Sequence, residues 1–237
     1  MNGRLRILGV FIALGGLLFL AGGAFAYMKA QEGSTSLLAY SEQQNVKLSY
    51  NDQGQLTSGG TTEEADGIMA LLTNDWKYPV VKSDLNSKDP LVNTASEYMF
   101  QMATISYHVL NGTQTVVLAK DAEFNGQVIP AGTYTFPVDG RYYADFNRAN
   151  PIEGAARGQA WSPTALGLIA NLGVGTATAS ALQMALGLAA LFAAVGLLAL
   201  FTGLGLVWVS RETMPVLVES TRTVNVPNSG SMPAPVR

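Results

Sequence analysis

One histidine and no cysteine among 237 residues decide most of what this sequence can do chemically. Thiolate metal sites, cysteine nucleophiles, disulfides and a lipid-modified cysteine all need a residue type that is missing. A facial triad of two histidines and a carboxylate, a zinc hydrolase site and a bis-histidine haem each need more imidazole than His108 supplies. A Ser-His-Asp arrangement survives the counting. Even so, no Gly-x-Ser-x-Gly elbow occurs, and the serines fall at caps and in loops. Glu63, Glu64 and Asp66 cluster as metal ligands would, yet they follow Thr61 and Thr62 and precede an apolar stripe. Acids in a first turn face the positive end of the helix dipole, so a helix start accounts for them. Gly173-x-Gly175 and Gly203-x-Gly205 lack the third glycine and the leading strand of a dinucleotide loop, and no P-loop is present. Asn51, Asp52 and Gly54 lack the rest of a calcium loop. The expectation is a protein that is not an enzyme, with no catalytic residue, metal or cofactor.

Aromatic residues are the remaining candidates. Trp76 and Tyr78, then Tyr142, Tyr143 and Phe146, then Trp161 stand in or beside short polar stretches. Exposed Trp and Tyr in such places anchor partner proteins. They can equally cover the domain or sit at lipid headgroups, and both readings stay open here.

The elements that must position these residues show in the charge distribution. The charged fraction is 13%, about half the ordinary value. It is uneven: residues 7–28 and 158–210 carry no charge. A bilayer imposes such segregation, because a charge at its centre costs at least about 2.5 kcal/mol. Residues 7–27 are long enough, at about 1.5 Å per residue, to cross roughly 30 Å of hydrocarbon. Ala24-Phe25-Ala26 also has the form of a signal-peptide cleavage site, but the apolar stretch outruns the usual h-region. A second span is expected over residues 181–209, ending at Trp208. Ala181, Ala185, Ala189, Ala193 and Gly196 would let another helix approach it, either the first span or a second copy of the chain.

The tails hold Arg4, Arg6, Arg211, Arg222 and Arg237 against Glu212 and Glu219, whereas residues 28–180 hold nine basic and fifteen acidic residues. By the positive-inside rule both termini are cytoplasmic and the acidic loop is extracytoplasmic. Its charge argues against nucleic acid as a partner. The expected order is a cytoplasmic N-terminus at 1–6, a span at 7–27 and an extracytoplasmic domain at 28–161. An interfacial helix at 162–173, a second span at 181–209 and a disordered cytoplasmic tail at 210–237 complete it.

Within the domain, a helix over 36–43 leads away from the membrane. A hairpin turns at residues 51–54, and a second helix covers 62–73. Thr94 and Glu97 form a capping box opening a central helix that runs from Ala95 to about Leu110. Strands at 113–119, 127–129 and 133–138 make an antiparallel β-meander packed on that helix. Ser162-Pro163 opens an apolar helix closed by Gly173. The fold class is therefore a membrane protein, two transmembrane helices flanking an α+β extracytoplasmic domain.

The runs GIMALLTNDWKYPV (67–80) and DPLVNTASEYMFQMAT (89–104), with Gly132-Thr-Tyr, Ala160-Trp161 and Gly173-Val-Gly175, carry a resemblance. Over residues 1–210 the chain resembles a family of actinobacterial two-span membrane proteins, some of them labelled aromatic ring-opening dioxygenases. Such an enzyme needs an iron site built with more than one histidine, so the label does not fit these residues. The resemblance implies an actinobacterial envelope setting at the plasma membrane. Expected partners are membrane lipid and other envelope proteins, with a homo-oligomer possible. Two alternatives stand: an accessory subunit of a larger membrane complex such as a respiratory assembly, and an outer domain that binds a small ligand or acts as an enzyme near Tyr107 and His108.

Overall fold

The computed structural model describes residues 2–211. The expected disordered tail, from 212 onward, lies outside the described residues.

Two helices dominate: α1, Asn2–Gln44, and α5, Pro163–Val209. At 43 and 47 residues they are roughly 65 and 70 Å long. Both are long and apolar enough to cross a membrane, and their most apolar stretches are only 22% and 11% buried. Low burial separates them from the core helices of a soluble domain, whose apolar faces are covered.

They pair antiparallel along small residues spaced by seven. Gly9, Gly16, Gly23 and Ala30 are buried on α1; Ala189, Gly196 and Gly203 are buried on α5. Gly9 meets Gly203, Gly16 meets Gly196 and Leu200, and Gly23 meets Ala189, so one backbone lies against the other. Seven residues turn a helix through about 700°, which drifts only about 20° from two full turns. A spacing of four drifts about 40° the other way per step, so the expected stripe leaves the contact face. Ala189 and Gly196 are buried, Ala185 and Ala193 are half-buried, and Ala181 is exposed. The contacting face follows the heptad: of the expected stripe, Ala189 and Gly196 lie on it, Ala193 flanks it against Gly23, and Ala181 lies off it.

α5 ends at Val209, where the second span was expected to end, but both long helices run well beyond the expected spans on the side of the globular part. The expected helix over 36–43 is the last part of α1, and the expected helix over 162–173 is the first part of α5. Gly173 does not cap it. A β-carbon at Gly175 would come within 2.6–2.8 Å of the Tyr98 ring, so glycine there admits a ring from another helix instead of ending its own.

The globular part sits on the far ends of this pair. β1 (Ser49–Tyr50) and β2 (Leu56–Thr57) form a minimal hairpin, shorter than the predicted strands. Its turn closes through Gly54 at φ +75° and an Asn51 carboxamide that accepts from the amides of Gln53 and Gln55. α2 (Thr62–Ala70), with Thr61 as its cap, widens into a π-helical turn, Leu71–Asp75. α3 (Ala95–Leu110) starts on the Thr94–Glu97 capping box.

The predicted meander is not formed. β3 (Thr113–Leu118) pairs with β6 (Gly132–Pro137), and between them β4 (Ala122–Phe124) pairs with β5 (Gln127–Ile129). The chain folds back once, at Asn125-Gly126 with φ +53° and +73°, the signature of a tight two-residue hairpin turn. The outcome is a two-stranded ribbon. α4 (Pro151–Ala160) was not foreseen; Asn150 caps it and Pro151 sits at its first position.

Two cores follow. One joins α2 and α3 to residues 48 and 92 through Ile68, Leu72, Phe100 and Ala103. The other joins the end of α3 to the ribbon and α4 through Leu110, Val116, Val138 and Ala156.

Candidate functional site

Aromatic residues far apart in sequence meet in one cleft, and the backbone near each explains how. The π-helical turn after α2 ends with the Trp76 amide donating to the Leu71 carbonyl at 3.0 Å, and Lys77 follows in the left-handed region at φ +56°. A wide turn of this kind shifts the next side chain off the helical path. The Trp76 indole thereby reaches the Tyr142 hydroxyl, donating to it at 2.9 Å.

Tyr142 belongs to a loop fixed at both ends. Asp139 and Gly140, at φ +51° and +73°, turn the chain out of β6. The Asp145 carboxylate then accepts from the Tyr142 amide at 2.9 Å. The Tyr142 ring stacks on Trp161 with centroids 5.9 Å apart and planes 20° from parallel. Trp161 caps the C-terminus of α4, and its indole donates to the Arg141 carbonyl at 3.1 Å. Each polar aromatic atom named here spends its hydrogen bond inside the domain, which holds the ring faces still.

Around these rings Met102 and Ser106 of α3 and Leu166 and Ile169 of α5 complete an open apolar recess of about 470 Å³. Tyr142 and Tyr143 stand 40% and 44% exposed at its edge. Behind the Tyr143 ring the Arg157 guanidinium lies 4.3 Å from its centroid, and its Nε is buried with no hydrogen-bond partner. Arg141 lies over Phe136 at 4.9 Å, with its nearest carboxylate, Glu153, at 4.0 Å.

The predicted aromatic set therefore divides. Trp76, Tyr142 and Tyr143 come together over Trp161, which at 5% exposed belongs to the second core and forms the floor of the recess. Phe146 is 4% exposed and packs on Phe136 inside the second core, so it belongs to the interior and has no surface to offer. Tyr78 is half-buried in the first core, away from the cleft, where burial and the Asp84 charge push its hydroxyl pKa up. Sequence reasoning missed Met102, Ser106, Leu166, Ile169 and Arg157. Asn150-Pro151 was a usable signal for α4, and hence for Arg157, because it repeats the cap-then-proline pattern of Ser162-Pro163.

His108 lies elsewhere. Its Nε2 is 3.2 Å from Glu64 Oε1, which also accepts the Ser58 hydroxyl at 3.2 Å. The serine proton is given to the carboxylate and not to the imidazole. A base that takes a nucleophile's proton must be bonded to that nucleophile, and this group lacks the arrangement. Among the described residues, no three His, Asp or Glu side chains converge as a metal site.

Glu97 is the most deeply buried acid, 1% exposed, and accepts from the amides of Asn93 and Thr94 at 3.0 and 2.9 Å. Burial nevertheless dominates and raises its pKa. It is a structural cap, locked to the start of α3. No family model, curated protein or solved structure matches this chain.

Proposed function

We propose that this chain is a non-enzymatic, two-span protein of the cell membrane whose outer domain docks other envelope proteins through the aromatic cleft. The membrane half of the reading rests on large side chains that face outward from the helix pair. Phe11, Leu18, Leu198 and Phe201 are 68–75% exposed, and exposed apolar surface on this scale calls for hydrocarbon around it. Both tails inside, the charge reading, puts the cleft outside the cell. The resemblance to two-span actinobacterial proteins fits that setting.

The cleft itself carries the docking half. Fixed ring faces lose little entropy on binding, and a recess floored by apolar side chains desolvates whatever enters it. The half-buried Arg157 guanidinium, held 4.3 Å over the exposed Tyr143 ring, places a positive charge that favours a carboxylate beside that ring. The occupant is therefore an apolar segment of another envelope protein bearing an acidic side chain. An accessory subunit of a larger membrane complex would use the same surface on a permanent partner.

The test is photo-crosslinking in cells. Benzoylphenylalanine in place of Tyr143 should give a discrete cross-linked species, which Arg157→Ala weakens. The same probe in place of Val128, which is 66% exposed on the ribbon, should not give it. Identical products at both positions, or none at 143, would refute docking at the cleft.

A further inference from the structure

A second cavity, sharing no residue with the cleft, lies where the end of α1 meets α3 and α5. Its volume is about 260 Å³. Three helices frame it, and hydrogen bonds tie them at that level. The Ser41 hydroxyl donates to the Leu37 carbonyl at 2.9 Å, so the buried 2.7 Å contact with Tyr98 is donated by the tyrosine. The Tyr40 hydroxyl donates to Asn171 Oδ1 at 3.2 Å, tying α1 to α5. The walls are Val46, Val92, Ile105, Leu168 and Leu172.

The polar groups on its lining are all neutral. Gln44 and Gln101 present carboxamides, and Asn171 keeps its amide NH₂ free once Oδ1 has taken the Tyr40 proton. Among the described residues, no Asp, Glu, Lys, Arg or His lines the cavity. The cavity opens to solvent past Val46 and Leu168, 40% and 48% exposed, and a charged molecule entering it would lose part of its hydration with no opposite charge to replace it. A neutral one with a single polar end fits both parts of the lining. An apolar cavity of about 150 Å³ holds benzene, with six non-hydrogen atoms, so this volume scales to roughly ten.

We infer that this cavity is a binding site for a small uncharged molecule of about ten non-hydrogen atoms, apolar along its length with one hydroxyl, carbonyl or amide end. The site goes beyond the docking reading and does not depend on it. It recognises shape and one hydrogen-bonding group, and it discriminates against ions.

Thermal unfolding of the full chain in mild detergent tests this, with 3-phenylpropanamide as the neutral probe and 3-phenylpropanoate, of the same size and shape, as its charged counterpart. The neutral probe should raise the melting temperature of the native chain by a few degrees at saturation, and the carboxylate by less than one. Leu168→Trp and Ile105→Phe each place bulk in the cavity and should abolish the shift. Two independent fillers keep the test decisive if one of them does not fold, and the neutral-against-charged comparison needs neither. No shift at millimolar 3-phenylpropanamide, an equal shift with the carboxylate, or an undiminished shift in a folded filler would each overturn the inference.

Discussion

Gly203 and Gly205 are two residues apart on α5, and alanine at the two positions should change stability in opposite directions. Around Gly205 nothing lies within 4 Å of where a β-carbon would sit. Alanine there only removes the helix penalty of glycine, a gain of up to about 1 kcal/mol. At Gly203 the same β-carbon would stand 2.5 Å from the Gly9 carbonyl oxygen and from the Ala13 amide nitrogen, both backbone atoms. Ordinary contact begins near 3.4 Å, so α1 and α5 must part locally by 3.4 − 2.5 = 0.9 Å. Overpacking of this kind costs about 1–3 kcal/mol, which exceeds the propensity gain and leaves Gly203→Ala destabilised by up to about 2 kcal/mol. Leucine should widen the gap, since one site opens outward and the other onto backbone. On the same logic Ala189→Leu should destabilise and Ala181→Leu should not. Unfolding in mixed micelles of increasing denaturing-detergent fraction, followed by tryptophan fluorescence, reads each variant against the native chain. If Gly203→Ala and Gly205→Ala shift the midpoint in the same direction by similar amounts, the heptad face is not where the helices meet.

Two further outcomes are expected. Glu97 has a folded pKa above its ordinary 4.5, so the folded state holds its proton more tightly than the unfolded chain does. Its contribution is fully present below that ordinary value and is lost as pH rises through the raised one. Glu97→Gln keeps the cap, because a glutamine carbonyl can accept the same two amides, and should flatten the loss in stability that denaturant titrations show on raising pH through this range. Separately, a reporter that fluoresces only in the cytoplasm, fused after Arg237, should be bright, with the globular part digested by protease added to spheroplasts; a dark reporter with the domain intact would invert the orientation.

Local chemistry was legible in the sequence, and encounters between distant segments were not. The caps at Thr94, Asn51 and Ser162 depend on residues a few positions apart, and the turn at Asn125-Gly126 on two neighbours. Hydropathy exposed both apolar stretches for the same reason, since each is its own signal. Helix ends misled because glycine has two uses. At Gly173 it reads as a stop, yet α5 runs on past it, and Gly175 two residues later admits the Tyr98 ring from another helix. The small-residue face misled similarly: alanines four apart catch the eye, but a partner helix selects the spacing that stays on one side, and that spacing needs both helices in view. The ribbon became a meander on paper because three β-rich runs in a row do not say which neighbours pair. The cleft was half legible. Its tryptophans and tyrosines could be named, but the bond from Trp76 to Tyr142 joins positions 66 apart, and no periodicity links them.

In the proposed membrane setting, the unbroken course of α1 and α5 would give the bilayer a mechanical hold on the globular part. From Ala181, where the expected second span begins, to Pro163, α5 runs on for a lever arm of roughly 27 Å. No hinge separates that arm from the span. Tilting the pair by about 10°, as helices do when hydrocarbon thickness changes, would swing the upper end sideways by roughly 5 Å. The cleft would travel with it, since Leu166 and Ile169 are part of the arm. On that reading bilayer thickness and lateral pull on the globular part would be two handles on one rigid bar, and a partner seated in the cleft would both sense and set the tilt of the helices beneath it.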